Sequence, residues 1–295
     1  MANEIASALR LSIIIPVYND WRPLLECLKS LQQQVSAPQF EVILVDDGSE
    51  QAAPSALIQQ SERPYPVDFI RQVHVGVAAA RNAGIKHSTG SVILFTDADC
   101  RLAGDCLSNL AAKVTSFPQH DCFQLHLTGE CSNVAGRAEE LRLRTLQKSR
   151  LQPDGRIQYL NTAGFAIRRE RIDVEKGLFN PGALRSEDTL LMAEFMQRGE
   201  LPFFVQDALV YHRIVFPVVG CFRKDLRTGW LEAKSEQAMN ASGARIRMSD
   251  LQRFQTLMGM WRTAGEDSIG RAAWFLLLAR RLVRRVGFGL STLSS

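Results

Sequence analysis

The chain has 295 residues, of which 46% are hydrophobic and 22% are charged, a composition typical of a folded globular protein. Its formal net charge of +4 is uneven, because residues 221–295 contain thirteen Lys and Arg against six Asp and Glu. This basic tail predicts contact with an anionic surface. Its basic residues are not interleaved with aromatic ones on one face, which argues against nucleic-acid binding.

No segment of the sequence predicts export or membrane insertion. Residues 1–10 lack the apolar stretch of a secretory leader, and no apolar run is long enough to cross a bilayer. The six cysteines are scattered, without a Cys-x-x-Cys pair or a histidine at zinc spacing. We therefore expect reduced thiols in a cytoplasmic protein.

Strand and helix patterns alternate from residue 11 to residue 99. Apolar runs that end in polar turns predict strands at 11–19, 40–45, 67–72 and 92–95, and the intervening patterns predict helices at 21–34, 54–61 and 76–84. Neither a Gly-x-Gly-x-x-Gly loop nor a P-loop is present. The alternation predicts an α/β fold with a doubly wound, mostly parallel sheet and flanking helices.

Two carboxylates, Asp97 and Asp99, follow the strand at 92–95. In an open α/β sheet, ligands bind beyond the carboxyl ends of the strands, so both side chains are expected in a ligand crevice. Neighbouring carboxylates repel each other unless a cation lies between them, and Mg²⁺ is typically held by carboxylates together with phosphate oxygens. The pair predicts a divalent metal that carries a diphosphate. The alternative is that one of them only caps the following helix.

The second half of the sequence predicts further strands and helices and then a purely helical tail. Strands are predicted at 121–128, 201–205 and 208–212, and 159–169 predicts a loop followed by a strand and a basic pair. Helices are predicted at 104–117, 135–149, 186–198, 221–238, 249–263 and 268–286. The change in pattern near residue 216 predicts a catalytic domain at 1–216 and a helical C-terminal region at 217–295.

The segment 271–286 predicts a basic amphipathic helix. A helical projection places arginines 280, 281, 284 and 285 on one side, and Phe275, Leu276, Ala279, Leu282, Val283 and Val286 on the other. Such a helix either lies on an anionic membrane or folds its apolar face back onto the catalytic domain. The arginine cluster favours the membrane, because each basic residue near anionic lipid contributes about 1 kcal/mol.

Seven short blocks occur in an order that resembles the family-2 glycosyltransferases with the GT-A fold. They are residues 12–19 (SIIIPVYN), 45–49 (VDDGS), 80–84 (ARNAG), 97–99 (DAD, a DXD motif), 164–169 (GFAIRR), Glu187-Asp188, and His212. Each block is weak alone, but their order and separations make the resemblance specific over residues 11–212.

The resemblance implies a role for each matching residue. It implies that the nucleotide-sugar is bound by Pro16, Tyr18, Asp46, Asp47, Arg81 and Asp97. It also implies that Asp99 and His212 bind the metal and that Gly164 and Glu187 lie on the acceptor side. Asp188 would be the catalytic base, which requires that burial raise its pKa, because an ordinary carboxylate is a weak base at neutral pH.

The resemblance also implies an activity. A sugar would move from a nucleotide-activated donor, with a UDP-sugar favoured, to a carbohydrate or lipid-linked acceptor hydroxyl, with inversion and with Mn²⁺ or Mg²⁺. The context would be synthesis of a polysaccharide or glycoconjugate in the cytoplasm, with possible peripheral contact of 271–286 with the inner face of the cell membrane. Two alternatives are a nucleotidyltransferase, whose phosphate loop is missing, and a catalytically silent nucleotide-sugar-binding or scaffold protein, which would be expected to lack Asp99 or Asp188.

Overall fold

The computed structural model describes residues 9–58, 63–130, 133–182, 187–213, 218–241, 250–265 and 268–293. The strands are β1 (Arg10–Val17), β2 (Gln39–Asp46), β3 (Val67–Arg71), β4 (Val92–Phe95), β5 (Cys100–Leu102), β6 (Cys122–Gly129), β7 (Phe165–Arg168) and β8 (Phe203–His212). The helices are α1 (Trp21–Gln32), α2 (Ser55–Ile58), α3 (Val77–His87), α4 (Cys106–Ser116), α5 (Val134–Arg150), α6 (Glu187–Arg198), α7 (Val218–Ala241), α8 (Asp250–Ala264) and α9 (Ser268–Leu293). Short 3₁₀ turns lie at Thr162–Gly164 and Arg169–Arg171.

The eight described strands form one sheet in the order β3-β2-β1-β4-β7-β6-β8-β5. Six strands run in one direction, and β7 and β5 run against them. Apolar cores cover both faces of the sheet, as expected for strands whose residues are buried on both sides. The predicted α/β fold with a doubly wound, mostly parallel sheet, flanking helices and a helical C-terminal region is confirmed.

Two features of the sheet differ from the pattern in the sequence. The segments 201–205 and 208–212 predict two strands, but they are one strand, β8, which passes the exposed Gln206 and Asp207 by a register shift against β6. Strand β5 has only three residues and no apolar run, so its sequence does not predict it. It forms because it pairs with β8, and that pairing sets Cys100 opposite His212.

Parallel pairing brings three strand ends to one edge of the sheet. Val17 pairs with Asp46 across β1 and β2, and Ile14 pairs with Phe95 across β1 and β4. The residues that follow these strands therefore share one crevice.

The three C-terminal helices pack on α5. A small apolar core joins α5 to them, and its buried members are Ala135, Ala138, Leu141, Cys221, Ala264, Ala273 and Leu276. The predicted boundary at residue 216 lies outside the described residues, so the division into 1–216 and 217–295 stays a prediction. Among the described helices, none combines the length and the hydropathy that a bilayer span requires.

Helix α9 packs against α7 through glycines. A Cβ at Gly287 would overlap the carbonyl oxygen of Leu226, and a Cβ at Gly229 would overlap that of Arg284, so the two backbones touch. Of the predicted apolar face, Leu276 is buried, whereas others remain exposed, as described below. The helical projection groups Arg280 with the other arginines on a basic face. This placement is corrected, because Arg280 is half-buried in an ion pair with Asp225.

Candidate active site

Asp47 anchors the loop after β3 at the crevice edge. Its carboxylate accepts hydrogen bonds from the backbone N–H of Val75 (3.1 Å) and Gly76 (3.0 Å) and from Nε2 of Gln72 (2.7 Å). Nδ1 of His74 lies 2.8 Å from the same carboxylate. Gly76 has a φ of 105°, which only glycine adopts readily, so this tight loop depends on it. Asp47 therefore fixes His74 beside the crevice.

The ring of His74 stacks on the ring of Tyr18, with centroids 4.1 Å apart. Pro16 is buried in β1, two residues before Tyr18. Asp46 is fully buried, and its Oδ1 accepts from the backbone N–H of Ser49. Its Oδ2 has no hydrogen bond from any described residue and lies 3.6 Å from Nε of Arg71. The residues predicted to surround a nucleobase thus offer an aromatic face and a buried acceptor.

Arg81 joins two of the predicted blocks. Its guanidinium, only 2% exposed, donates to Asp97 (2.7 Å) and to Glu187 (2.6 Å). Because Asp97 follows β4 and Glu187 begins α6, one side chain from α3 connects the DXD motif to the start of α6. Such charge-assisted bonds are the strong ones in proteins. The arrangement holds Asp188 at a fixed place relative to the crevice.

Asp99 and His212 face each other across the β5–β8 pairing. Oδ2 of Asp99 lies 3.5 Å from Nε2 of His212, and Nδ1 of His212 lies 3.5 Å from Oε1 of Glu139 on α5. Burial lowers the pKa of His212, but the charges of Asp99 and Glu139 outweigh it and raise this pKa to about 10. Burial raises the pKa of Asp99, but the charge of His212 outweighs it and lowers this pKa below its usual value.

The sequence pattern predicted α5 only as a charged helix and missed Glu139. Glu139 is buried and ion-paired with Arg142 one turn later, and the charge of Arg142 overcomes the effect of burial and holds the pKa of Glu139 well below its usual range. A buried Glu and an Arg at i,i+3 look like an ordinary surface pair in a sequence. The sequence alone does not show that Glu139 and Arg142 face the interior of the protein.

We expect Glu139→Gln to lower the pKa of His212 below about 10, because it removes one of the two carboxylates that hold the imidazolium. An NMR titration of the His212 ring in EDTA measures the effect. Glu140→Gln is the matched control, since Glu140 is the adjacent buried glutamate and pairs with Arg137 instead. An unchanged His212 pKa in Glu139→Gln would show that the charge of Glu139 does not stabilise the protonated ring of His212.

The Asp99 and His212 pair has the chemistry of a divalent-metal site. One ligand atom each from Asp99, Cys100 and His212 lies within 4.8 Å of the others. Burial raises the pKa of the Cys100 thiol well above its ordinary value, so the effective donors are a carboxylate oxygen of Asp99 and a ring nitrogen of His212. A metal would bind His212 by displacing the proton that its raised pKa otherwise retains. Oxygen donors suit Mg²⁺ and Mn²⁺, and imidazole also ligates first-row metals.

Asp188 is partly buried at the start of α6. Burial and then the charge of Glu187 raise its pKa to about 6, against opposing effects of Thr189 and Arg81. Its Oδ1 accepts from the backbone N–H of Thr189 (2.7 Å). A carboxylate with a pKa near 6 is a better base at neutral pH than an ordinary one.

Two further features border this region. Gly164 lies in a buried turn against Leu125 and Leu127, and the hydroxyl of Thr96 donates to the carbonyl of Ala163 in that turn. Burial is the main cause that raises the pKa of Tyr159 to about 12, and the charge of Asp188 adds to it. The hydroxyl of Tyr159 is buried without a hydrogen bond from any described residue. The acceptor-side role of Gly164 stays a prediction.

The fold and the strand-end carboxylates define a class of protein with the GT-A architecture, and solved structures agree. The mannosyltransferase PcManGT from Pyrobaculum calidifontis, solved with GDP-Man and Mn²⁺, superposes with a TM-score of 0.57 at 17% identity over 96% of this chain and 83% of that one. TarS residues 1–349 from S. aureus, solved with UDP, superposes with a TM-score of 0.55 at 16% identity over 95% and 89%.

The chain belongs to glycosyl transferase family 2, whose family model matches residues 12–175. Among curated relatives, glycosyltransferase GlyA of Streptococcus pneumoniae is 31% identical over 108 residues, which are 37% of this chain and 15% of that protein. Glycosyltransferase AglE of Haloferax volcanii is 35% identical over 91 residues, or 30% of each chain. The matches therefore span less than a third of these relatives' length.

Proposed function

We propose that the protein is a metal-dependent inverting glycosyltransferase that moves a sugar from a nucleotide-activated donor to an acceptor hydroxyl. The observation that carries this proposal is the Arg81 bridge, which joins Asp97 at the strand end to Glu187, the residue before Asp188, whose carboxylate has a raised pKa. A base and a diphosphate site on one crevice are what a single displacement at an anomeric carbon requires.

The donor would bind along the strand ends. Tyr18 offers an aromatic face to the nucleobase, with Pro16, Asp46 and Asp47 supporting the base pocket. The buried Oδ2 of Asp46 makes no hydrogen bond to a described residue and is the acceptor we assign to the nucleotide. Asp97 would meet the ribose, with Arg81 as its partner. Asp99 and His212 would hold Mn²⁺ or Mg²⁺, which stabilises the negative charge of the departing diphosphate as a Lewis acid.

Asp188 would take the proton of the acceptor hydroxyl as that oxygen attacks the anomeric carbon from the face opposite the diphosphate. The C–O bond to the diphosphate breaks in the same step, so the anomeric configuration inverts. Glu187 supports Asp188 by raising its pKa, and Gly164 borders the acceptor side.

The neighbours are solved with UDP and with GDP-Man, and of these we favour a UDP-sugar for this chain. The acceptor would be a carbohydrate or a lipid-linked carbohydrate in polysaccharide or glycoconjugate synthesis. We place the reaction in the cytoplasm, with peripheral contact of residues 271–286 with the inner face of the membrane.

The decisive experiment measures nucleotide binding by calorimetry for UDP, GDP, dTDP and CDP, each with Mn²⁺ and with EDTA. We expect one nucleotide to bind tightly only with Mn²⁺, and Asp99→Ala to lose at least about 10- to 100-fold in affinity, the loss typical even of a group that only supports a metal ligand. The matching sugar nucleotide should then release its diphosphate when an acceptor is present, and NMR of the product should show the inverted anomer.

Asp105→Ala is the control, because Asp105 precedes α4 without a side-chain cap hydrogen bond. Equal binding by Asp99→Ala with Mn²⁺ and with EDTA would contradict the metal site. Metal-dependent binding with no turnover on any sugar or acceptor would favour a silent nucleotide-sugar-binding protein.

A further inference from the structure

The solvent side of the C-terminal helices carries a continuous apolar surface. Five residues of α9 form a stripe within roughly 80° of the helix projection. Their exposed fractions are 59% for Phe275, 63% for Leu282, 56% for Val286, 48% for Leu290 and 87% for Leu293. Trp261 of α8, 38% exposed, extends this stripe, since its ring lies 6.3 Å from that of Phe275. We call these six residues the α8–α9 apolar surface.

Packing in the folded protein explains why these large side chains remain outside. Where α9 meets α7, Gly287 lies against Leu226 and Gly229 lies against Arg284, and the two backbones touch there. Because the backbones touch at these glycines, no space is left between the two helices for a leucine or phenylalanine side chain. The α8–α9 apolar surface therefore remains exposed in the folded protein. Clusters of large exposed apolar residues generally mark interaction sites.

The charge beside this surface identifies its partner. Exposed Arg271 and Arg285 lie along one edge of the α9 stripe, and exposed Arg262 follows Trp261. Helix α9 contains five arginines and no acidic residue. Helices that lie in a membrane interface combine such an apolar face with basic residues at its border, and tryptophan is enriched at that depth.

We infer that the α8–α9 apolar surface docks on an anionic lipid membrane, with Arg262, Arg271 and Arg285 at the level of the headgroups. Long arginine side chains can keep the guanidinium among phosphates while the helix lies lower. A second copy of the chain fits less well, because two α9 helices would bring only positive charges together. The inference deepens the proposed peripheral contact and does not depend on turnover.

Docking through α9 would also set the distance between the membrane and the candidate active site. Helix α5 packs on α9 through Ala135, Ala138 and Leu141, and the same helix carries Glu139 beside His212. A membrane under α9 would therefore be separated from His212 by α9 and α5.

The test is flotation of the full chain with vesicles of phosphatidylcholine alone or mixed in equal parts with phosphatidylglycerol. We expect binding only to the mixed vesicles, and weaker binding at high salt. Leu282→Ser with Val286→Ser should weaken binding by about tenfold or more, because two exposed apolar side chains lose their burial. Arg271→Gln with Arg285→Gln should weaken it roughly thirtyfold, at about 1 kcal/mol for each arginine near anionic lipid.

Leu25→Ser with Val35→Ser is the matched control. It removes the same two residue types at positions that are 41% and 65% exposed, far from α8 and α9 in the sequence, and should bind the vesicles like the wild type. Circular dichroism confirms that all variants fold. Equal flotation of the α9 and control variants would overturn the inference. Absence of wild-type flotation, together with an oligomer that Leu282→Ser with Val286→Ser dissociates, would overturn it in favour of self-association.

Discussion

Asp188→Asn is expected to lower turnover by about 10²- to 10⁴-fold, the usual contribution of a positioned general base. This corresponds to about 3–5.5 kcal/mol in the activation barrier. Affinity for the nucleotide should stay within a fewfold, because the predicted donor residues belong to other strands and loops. Single-turnover kinetics with the sugar nucleotide that binds most tightly measures the turnover, and calorimetry measures the affinity for the nucleotide.

The wild-type protein should also show the pKa of Asp188 in the pH profile of its turnover. Because the base acts when deprotonated, turnover should fall about tenfold per pH unit below a pKa of about 6. The residual turnover of Asp188→Asn should lack this acid limb. An acid limb that persists in the variant would assign the base to another residue.

Stability gives an independent check that the loss is chemical. The folded pKa of Asp188 lies above its unfolded value of 3.8, so ionising it costs stability as the pH rises through about 6. Asp188→Asn should therefore be at least as stable as the wild type at neutral pH in urea unfolding. Glu194→Gln, an exposed carboxylate on the same helix, is the control and should change neither turnover nor stability. A variant that is both inactive and less stable would point to misfolding instead.

How far the sequence predicted this molecule depends on the kind of contact. Residues 11–19 and 92–95 are apolar runs that only a buried strand accommodates, so their place in the sheet followed from local pattern. Strand β5 has no such run and exists because β8 pairs with it, a contact more than a hundred residues away along the chain. A local sequence pattern cannot predict such a long-range pairing. The pairing of β5 with β8 is nevertheless what sets Asp99 beside His212.

The candidate site divides in the same way. Asp97, Asp99 and Asp188 follow strands or open a helix, where short blocks mark them. Glu139, Arg142 and the exposed stripe of α9 depend on which face of a helix turns inward, and that is decided by tertiary packing. The projection of 271–286 assigned Arg280 to the exposed side because it could not include Asp225 of α7, which pairs with it.

Arg81→Met is expected to lower the free energy of unfolding by about 3–5 kcal/mol, the cost of breaking a buried ion pair by removing one partner. The value should fall toward the lower end, because Glu187 is 11% exposed but Asp97 is 33% exposed and water partly solvates it. Urea unfolding measures the change. Arg198→Met is the matched control, because its pair with Glu194 on α6 is exposed and should contribute less than about 1 kcal/mol.

A second variant separates the loss of charge pairing from the loss of packing. When Asp97→Asn and Glu187→Gln accompany Arg81→Met, both carboxylates that bonded the guanidinium are gone. Only the nearby Asp188, whose pKa is already raised, stays ionisable, so most of the stability should return. Turnover should not return with it, since we propose that Asp97 contacts the donor and that Glu187 lies beside the base. If the triple variant is as unstable as Arg81→Met alone, the guanidinium acts through packing against Phe179, whose ring centre lies 5.6 Å away, and the bridge between the two motifs is not electrostatic.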